Sequence, residues 1–177
     1  MSTILIVMGV SGCGKSTVGR LLAELTGLSF ADGDDFHSAA NKRKMSAGEP
    51  LTDEDRLPWL SAIRDSYKSL APGIIACSAL KMKYRQLLSA PAADGRQNHP
   101  VIFIYLKLSK EEASRRLSAR KGHFFDESLL DSQFETLQEP LDGEDPHYRA
   151  LTFDWENPPK TAKEMASLIA SHISGLS

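Results

Sequence analysis

The chain has little of what marks secreted, membrane-spanning or polyanion-binding proteins. Its 177 residues include only two cysteines, Cys13 and Cys77, too few for a disulfide framework, and neither has a second thiol or a histidine at metal-ligand spacing. The expectation is a reduced intracellular protein without a structural metal. No apolar run approaches the roughly 20 residues needed to cross a bilayer. The apolar start Ile4 to Val10 follows no basic segment and runs straight into Ser11-Gly12, so it reads as a strand rather than a signal peptide. A formal net charge of -2 supplies no global basic field, which makes nucleic acid and anionic membrane poor first guesses as partners. Internal repeats and low-complexity linkers are also missing. With 41% hydrophobic and 25% charged residues the chain is no disordered segment, and its length suits one domain over residues 1–177 rather than two.

What is present alternates strand and helix signals. Ile4 to Met8 is a short apolar run of the kind buried on both faces at the centre of a parallel sheet. From Lys15, the positions Val18, Leu21, Leu22 and Leu25 recur at helical spacing until Gly27. A second strand, Leu28 to Ala31, ends in the acidic turn Asp32-Gly-Asp-Asp35. Residues 37 to 51 are polar and basic, a short helix or ordered loop. Thr52-Asp-Glu-Asp55 caps a helix whose first turn suits Pro58 and whose apolar face runs through Leu60, Ile63, Tyr67 and Leu70. Strands follow at Gly73 to Cys77, Val101 to Leu106 and Leu151 to Trp155. Helices are expected over Lys81 to Leu88, from Ser109 through Arg120, in the segment carrying Leu129, Leu130, Phe134 and Leu137, and after Pro158-Pro159. The pattern predicts a three-layer α/β/α fold: a five-stranded parallel sheet covered by helices on both sides.

Gly9-Val-Ser-Gly-Cys-Gly14-Lys15-Ser16 lies between a buried strand and a helix, with two glycines five apart followed by lysine and a hydroxyl residue. The glycines let backbone N–H groups turn inward around phosphates, and the helix start adds its positive end. Lys15 would meet the β and γ phosphates of ATP, and Ser16 would offer an oxygen to magnesium. Gly9, Ser11, Gly12, Cys13, Gly14, Lys15, Ser16 and Thr17 are the nucleotide-binding candidates. Cys13 sits among amides that favour a thiolate; the simpler reading is a passive small residue.

The branch of phosphate-cradle protein must come from elsewhere. The guanine-reading Asn-Lys-x-Asp is absent, as is an Asp-x-x-Gly switch, and the third strand ends in Cys77-Ser78 rather than in an acid. The carboxylates near the phosphates must therefore be Asp32 and Asp34. An Asp-x-Asp pair on extended backbone points both side chains one way, so Asp32 is assigned to the magnesium side and Asp34 to proton acceptance from the acceptor hydroxyl.

Several further blocks follow: Asp32-Gly-Asp-Asp-Phe-His37, Asn41-Lys-Arg-Lys-Met45, Gly48-Glu-Pro-Leu51, Asp53-Glu-Asp-Arg-Leu-Pro-Trp-Leu60, Cys77-Ser-Ala-Leu-Lys81, Tyr84-Arg85, Arg120-Lys-Gly-His-Phe-Phe125 and Gln133-Phe-Glu-Thr-Leu-Gln-Glu-Pro140. Together they resemble the successive motifs of the gluconokinase family, over roughly residues 4 to 140. The resemblance implies a nucleoside-kinase-like fold with a helical lid, ATP and magnesium, D-gluconate as the acceptor, 6-phosphogluconate as the product, and a homodimer. On this reading a substrate-binding segment covers about 36–60 and a lid about 121–146.

A gluconate pocket needs a cation for the carboxylate and mixed donors and acceptors for the hydroxyls. Arg56, Lys81 and Arg85 are the anion candidates, with His37, Lys44 and Ser78 around the hydroxyls and His123 near the lid. Arg120 is the candidate for stabilising the transferring phosphoryl group, and Arg116 for packing on adenine. Rival expectations are a kinase for another hydroxy acid such as shikimate, a nucleoside monophosphate kinase, and a regulatory module that binds ATP without transferring it. Asp34 and the basic lid argue against the last. The Ser174-Gly-Leu-Ser177 end carries no organelle address, so the cytoplasm is the expected location.

Overall fold

The computed structural model describes residues 2–91, 99–119 and 127–175. In chain order the elements are β1 (Ile4–Met8), α1 (Lys15–Thr26), β2 (Ser29–Asp32), a 3₁₀ turn (Gly33–Phe36), α2 (Ala39–Ser46), α3 (Asp53–Leu70), β3 (Gly73–Ala76), α4 (Met82–Ser89), β4 (Val101–Lys107), α5 (Lys110–Ser118), α6 (Glu127–Thr136), β5 (Tyr148–Asp154) and α7 (Ala162–Ser174). All strand pairings are parallel, in the order β2-β3-β1-β4-β5.

Side-chain alternation along the strands divides the core in two. Leu5, Val7, Ile74, Ile104, Leu106 and Phe153 face one way, where Val18 and Leu22 of α1 and Met165 and Ile169 of α7 cover them. Ile4, Ile6, Met8, Ile75, Phe103 and Tyr105 face the other way, against Trp59, Leu60, Ile63 and Tyr67 of α3 and Leu88 of α4. Each aliphatic side chain fully withdrawn from water contributes about 1.5–3 kcal/mol, so the two layers hold the central strands rigidly. Rigid strands give fixed ends, and the loops after β1, β2 and β3 emerge together at the carboxyl edge of the sheet. There Cys77 N–H donates to Val7 O at 3.0 Å and Gly9 N–H to Ser78 O at 3.3 Å.

Several element ends shift by one residue from the expectation, and four features differ in ways that have a physical reason. β5 begins at Tyr148, because Tyr148 and Ala150 point into the core while Arg149 between them is exposed, a period of two hidden behind polar letters. α7 opens at Thr161 rather than at the prolines: the Thr161 hydroxyl accepts from Glu164 N–H while Glu164 accepts from Thr161 N–H. Pro58 stands in the second turn of α3, whose entrance is a capping box of Thr52 and Asp55. α5 ends at Ser118 rather than at Arg120.

Candidate active site

The cradle is built by backbone that only glycine permits. Gly12 has φ +81°, and a Cβ there would lie 2.9 Å from both Ala113 O and a Leu117 side-chain carbon. The loop is held from below by Trp155 at the end of β5, whose indole N–H donates to Cys13 O at 2.8 Å. Arg116 lies with its guanidinium 4.3 Å from the centre of the Trp155 ring, and its Nε donates to Glu112 at 2.6 Å. Glu112, bound by Arg115 and Arg116, is held down to a pKa of about 2. Cys13 is fully buried and burial pushes its thiol up, which opposes the thiolate that a redox role would need.

Lys15 donates to Val10 O at 2.9 Å, a bond within its own loop. Ser16 Oγ donates to Asp32 Oδ2 at 2.6 Å, and Asp32 Oδ1 accepts from Asp34 N–H at 3.2 Å. The Asp32–Asp34 geometry corrects the extended-pair expectation. Asp32 ends β2 and caps the 3₁₀ turn, so Asp34 lies on helical rather than extended backbone and the two side chains do not share one strand face. Gly33 makes that turn possible: a Cβ would come within 2.4 Å of Ala76 O at the end of β3, and Gly33 O accepts from the Trp59 indole at 2.7 Å. Asp32 is turned toward the cradle, whereas the Asp34 side chain is 84% exposed. Lys15, Asp34 and Asp32 all act on the Cys77 thiol beneath them, which burial raises to about 12.

His37 adjoins Asp34. Its ring stacks on Trp59 at 4.2 Å between centroids, and Asn41 Nδ2 lies 3.4 Å from Nδ1. The Asn41 amide nitrogen can only donate, so Nδ1 accepts and the neutral ring carries its proton on Nε2, 3.9 Å from Asp34 Oδ1. Burial lowers the His37 pKa and outweighs the pull of Asp34, which keeps the ring neutral.

The cations expected on the acceptor side are largely paired with the first turn of α3. Lys44 contacts both oxygens of Asp55 at 2.8 and 2.9 Å. Asp53 accepts from Lys81 at 3.0 Å and from Lys83 and Tyr84 as well, which holds its carboxyl well below the usual range. Arg56 donates to Leu51 O and lies 5.8 Å from the centre of the Tyr84 ring. Ser78 is half-buried beside the cradle, its carbonyl taken by Gly9.

Arg85 departs from its expected role. It is fully buried, with Nη2 and Nε on Glu144 at 2.9 and 3.0 Å and Nη1 on the carbonyls of Ala79 and Gln138 at 3.2 and 3.0 Å. Its donors are consumed by the protein, so it braces the β3–α4 loop and is not free for a substrate carboxylate. Arg120, Lys121 and His123 lie outside the described residues.

One contact the motif reading missed is Gln133 on α6. Its Oε1 accepts from Ser11 N–H at 2.7 Å and its Nε2 donates to Ser11 Oγ at 2.9 Å. The signal was available: Gln133 falls in the apolar stripe Leu130, Phe134, Leu137, where a polar side chain needs a partner.

A parallel sheet of this order, with a glycine-rich turn, Lys15 and Ser16 at the end of its central strand and acids at the end of the edge strand β2, defines a P-loop kinase of the small-molecule type. A shikimate kinase family model matches residues 11–173. The thermoresistant gluconokinase of Escherichia coli is 46% identical over 142 residues, 77% of each chain. A probable gluconokinase of Mus musculus is 42% identical and covers 93% of this chain and 97% of its own. A crystal structure of a gluconokinase from Sinorhizobium meliloti superposes with a TM-score of 0.75 at 38% identity, covering 99% of this chain and 98% of that one. The family model describes the shared fold, and the pairwise identities carry the narrower assignment: the chain belongs to the gluconokinase family.

Proposed function

We propose that the protein transfers the γ-phosphoryl group of ATP to the 6-hydroxyl of D-gluconate, giving 6-phosphogluconate and ADP. The observation that carries this reading is sequence identity of 40–46% to relatives named as gluconokinases, together with a cradle beside which the Asp34 carboxylate is exposed, with His37 3.9 Å away. In the proposed step the gluconate oxygen attacks in line while Asp34 accepts its proton, so no phosphoenzyme forms. Lys15 exchanges its bond to Val10 O for the β and γ phosphates. Arg56 and Lys81 are the remaining candidates for the gluconate carboxylate, with His37, Lys44 and Ser78 toward its hydroxyls. Arg116 is proposed to offer adenine the guanidinium face opposite Trp155. Arg120 and His123 are retained on the family resemblance alone.

The donor set fits magnesium. Ser16 Oγ and Asp32 Oδ2 are hard oxygens 2.6 Å apart at the cradle, and a hydrated magnesium held by one or two such groups takes its other ligands from water and phosphates. Bound there it would neutralise charge on the phosphate oxygens. A homodimer is proposed on the resemblance, with light scattering at the mass of two chains as its check, and the cytoplasm as its setting.

The test is ADP release measured with gluconate, shikimate, other sugar acids and AMP beside a control without acceptor. ADP formed with gluconate alone supports the reading, whereas shikimate-dependent release would transfer the activity to the class in the family model's description. Asp34→Asn should keep ATP binding and lose at least roughly 100-fold in turnover, the scale of a general base. Near-normal turnover removes Asp34 from the mechanism.

A further inference from the structure

The Ser11–Gln133 contact joins two segments 122 residues apart, and the assigned motifs do not explain it. The two bonds fix the amide's orientation: turning it over would set its NH₂ against the Ser11 N–H, two donors face to face. Two consequences follow for the cradle. The Ser11 N–H is already satisfied, so the amides open to phosphate begin after it. The Ser11 hydroxyl accepts from Gln133 and keeps its own proton to donate.

The same segment also grips the acceptor side. Leu137 N–H donates to Gln133 O at 2.9 Å, Gln138 N–H to Leu80 O at 2.9 Å, and Met82 N–H to Gln138 Oε1 at 2.6 Å. Arg85 closes the arrangement on Gln138 O at 3.0 Å. Residues 133 to 138 therefore hold Ser11 of the cradle with one glutamine and the β3–α4 loop, which carries Ser78 and Lys81, with another.

We propose that Gln133 is a positioning residue for phosphoryl transfer, acting through Ser11 to set the cradle in register with the acceptor loop and to present the Ser11 hydroxyl as a donor. The proposal rests on the kinase reading above. Misplacing reacting groups by about 1 Å can cost on the order of 100-fold, so the effect belongs in kcat.

The experiment measures kcat, both KM values and thermal melting for the full chain with ATP and gluconate, for wild type, Gln133→Met, Ser11→Ala and the double variant. Absence of gluconate turnover by the wild type would defeat the kinase reading itself and is seen before any variant is compared. Given wild-type activity, Gln133→Met should lower kcat by about 10- to 100-fold with gluconate KM within about threefold. Ser11→Ala, which keeps the backbone bond to Gln133, should lose about two- to tenfold. The double variant should be within about twofold of Gln133→Met, because both changes break one unit. A Gln133→Met enzyme with kcat within about twofold of wild type, a loss confined to KM, or losses that multiply in the double variant would overturn the proposal. If Gln133→Met does not fold, Gln133→Glu decides: it keeps an acceptor for Ser11 N–H but draws the hydroxyl proton to itself. Its kcat should then fall at least to that of Ser11→Ala, and wild-type kcat there overturns the proposal equally.

Discussion

The phosphate cradle and the acceptor side are built by different means. The cradle is contiguous, Gly9 to Thr17, shaped by positive-φ glycines and supported from beneath by buried groups: Trp155 on Cys13 O, Ala113 and Leu117 against Gly12. The proposed acceptor side is assembled from charges on separate elements, and those charges neutralise one another: Lys44 with Asp55, Lys81 and Lys83 with Asp53. A preorganised backbone site costs little reorganisation when a polyphosphate binds. Paired side chains must exchange partners to receive a substrate, which tunes specificity at some cost in affinity. The cradle is therefore the part that tolerates change least.

Three substitutions sharpen that contrast. The largest effect is expected from Gly12→Ala, which forces a side chain into positive φ and into Ala113 O; nucleotide binding should be lost by at least roughly 100-fold, read by calorimetric titration with ATP. If Gly12→Ala binds ATP normally, the cradle is less rigid than its contacts imply. Next comes Arg85→Met. Burial raises the pKa of Glu144, but bonds from Tyr148, Leu141 and Arg85 outweigh it and keep the carboxylate charged, so removing the buried guanidinium should cost about 3–5 kcal/mol. Denaturant unfolding measures this loss. Retained gluconate KM in the folded fraction separates bracing from binding, and a selective rise in KM would return Arg85 to the substrate pocket.

The smallest effect is a pH dependence at His37, which faces Asp34, Arg56, Lys42 and the Trp59 ring. Its folded pKa is depressed below 6.5, so the unfolded chain binds the proton first as pH falls. The associated stability is full above pH 6.5 and declines as pH drops through 6.5 toward the folded value, with a slope of no more than one proton. His37→Gln should flatten that slope in melting curves between pH 7 and pH 5, while an unchanged slope would assign it to other groups.

Much of this arrangement was legible from residues alone, for reasons that differ by region. Ile4 to Met8 reads as a buried strand because both its faces are covered, and the cradle reads from spacing because its chemistry lies in consecutive backbone amides. Tyr148 and Arg149 did not read as strand, since alternation that begins with polar letters after an acidic loop resembles loop. Asp34 was expected on extended backbone, but it lies on a 3₁₀ turn that depends on Gly33 fitting against Ala76 O at the end of β3, a contact between segments distant in sequence.

Sequence by itself determined the alternation of strands and helices, the glycine turn and the identity of its lysine and hydroxyl, since each follows from local backbone freedom or short-range periodicity. Tertiary structure alone decided which partner each polar side chain meets: Arg85 buried on Glu144, Lys81 held by Asp53, Gln133 clasping Ser11. The physical reason is that the state of a charge or an amide is set by the partner it meets, and those partners come from 28 to 122 residues away.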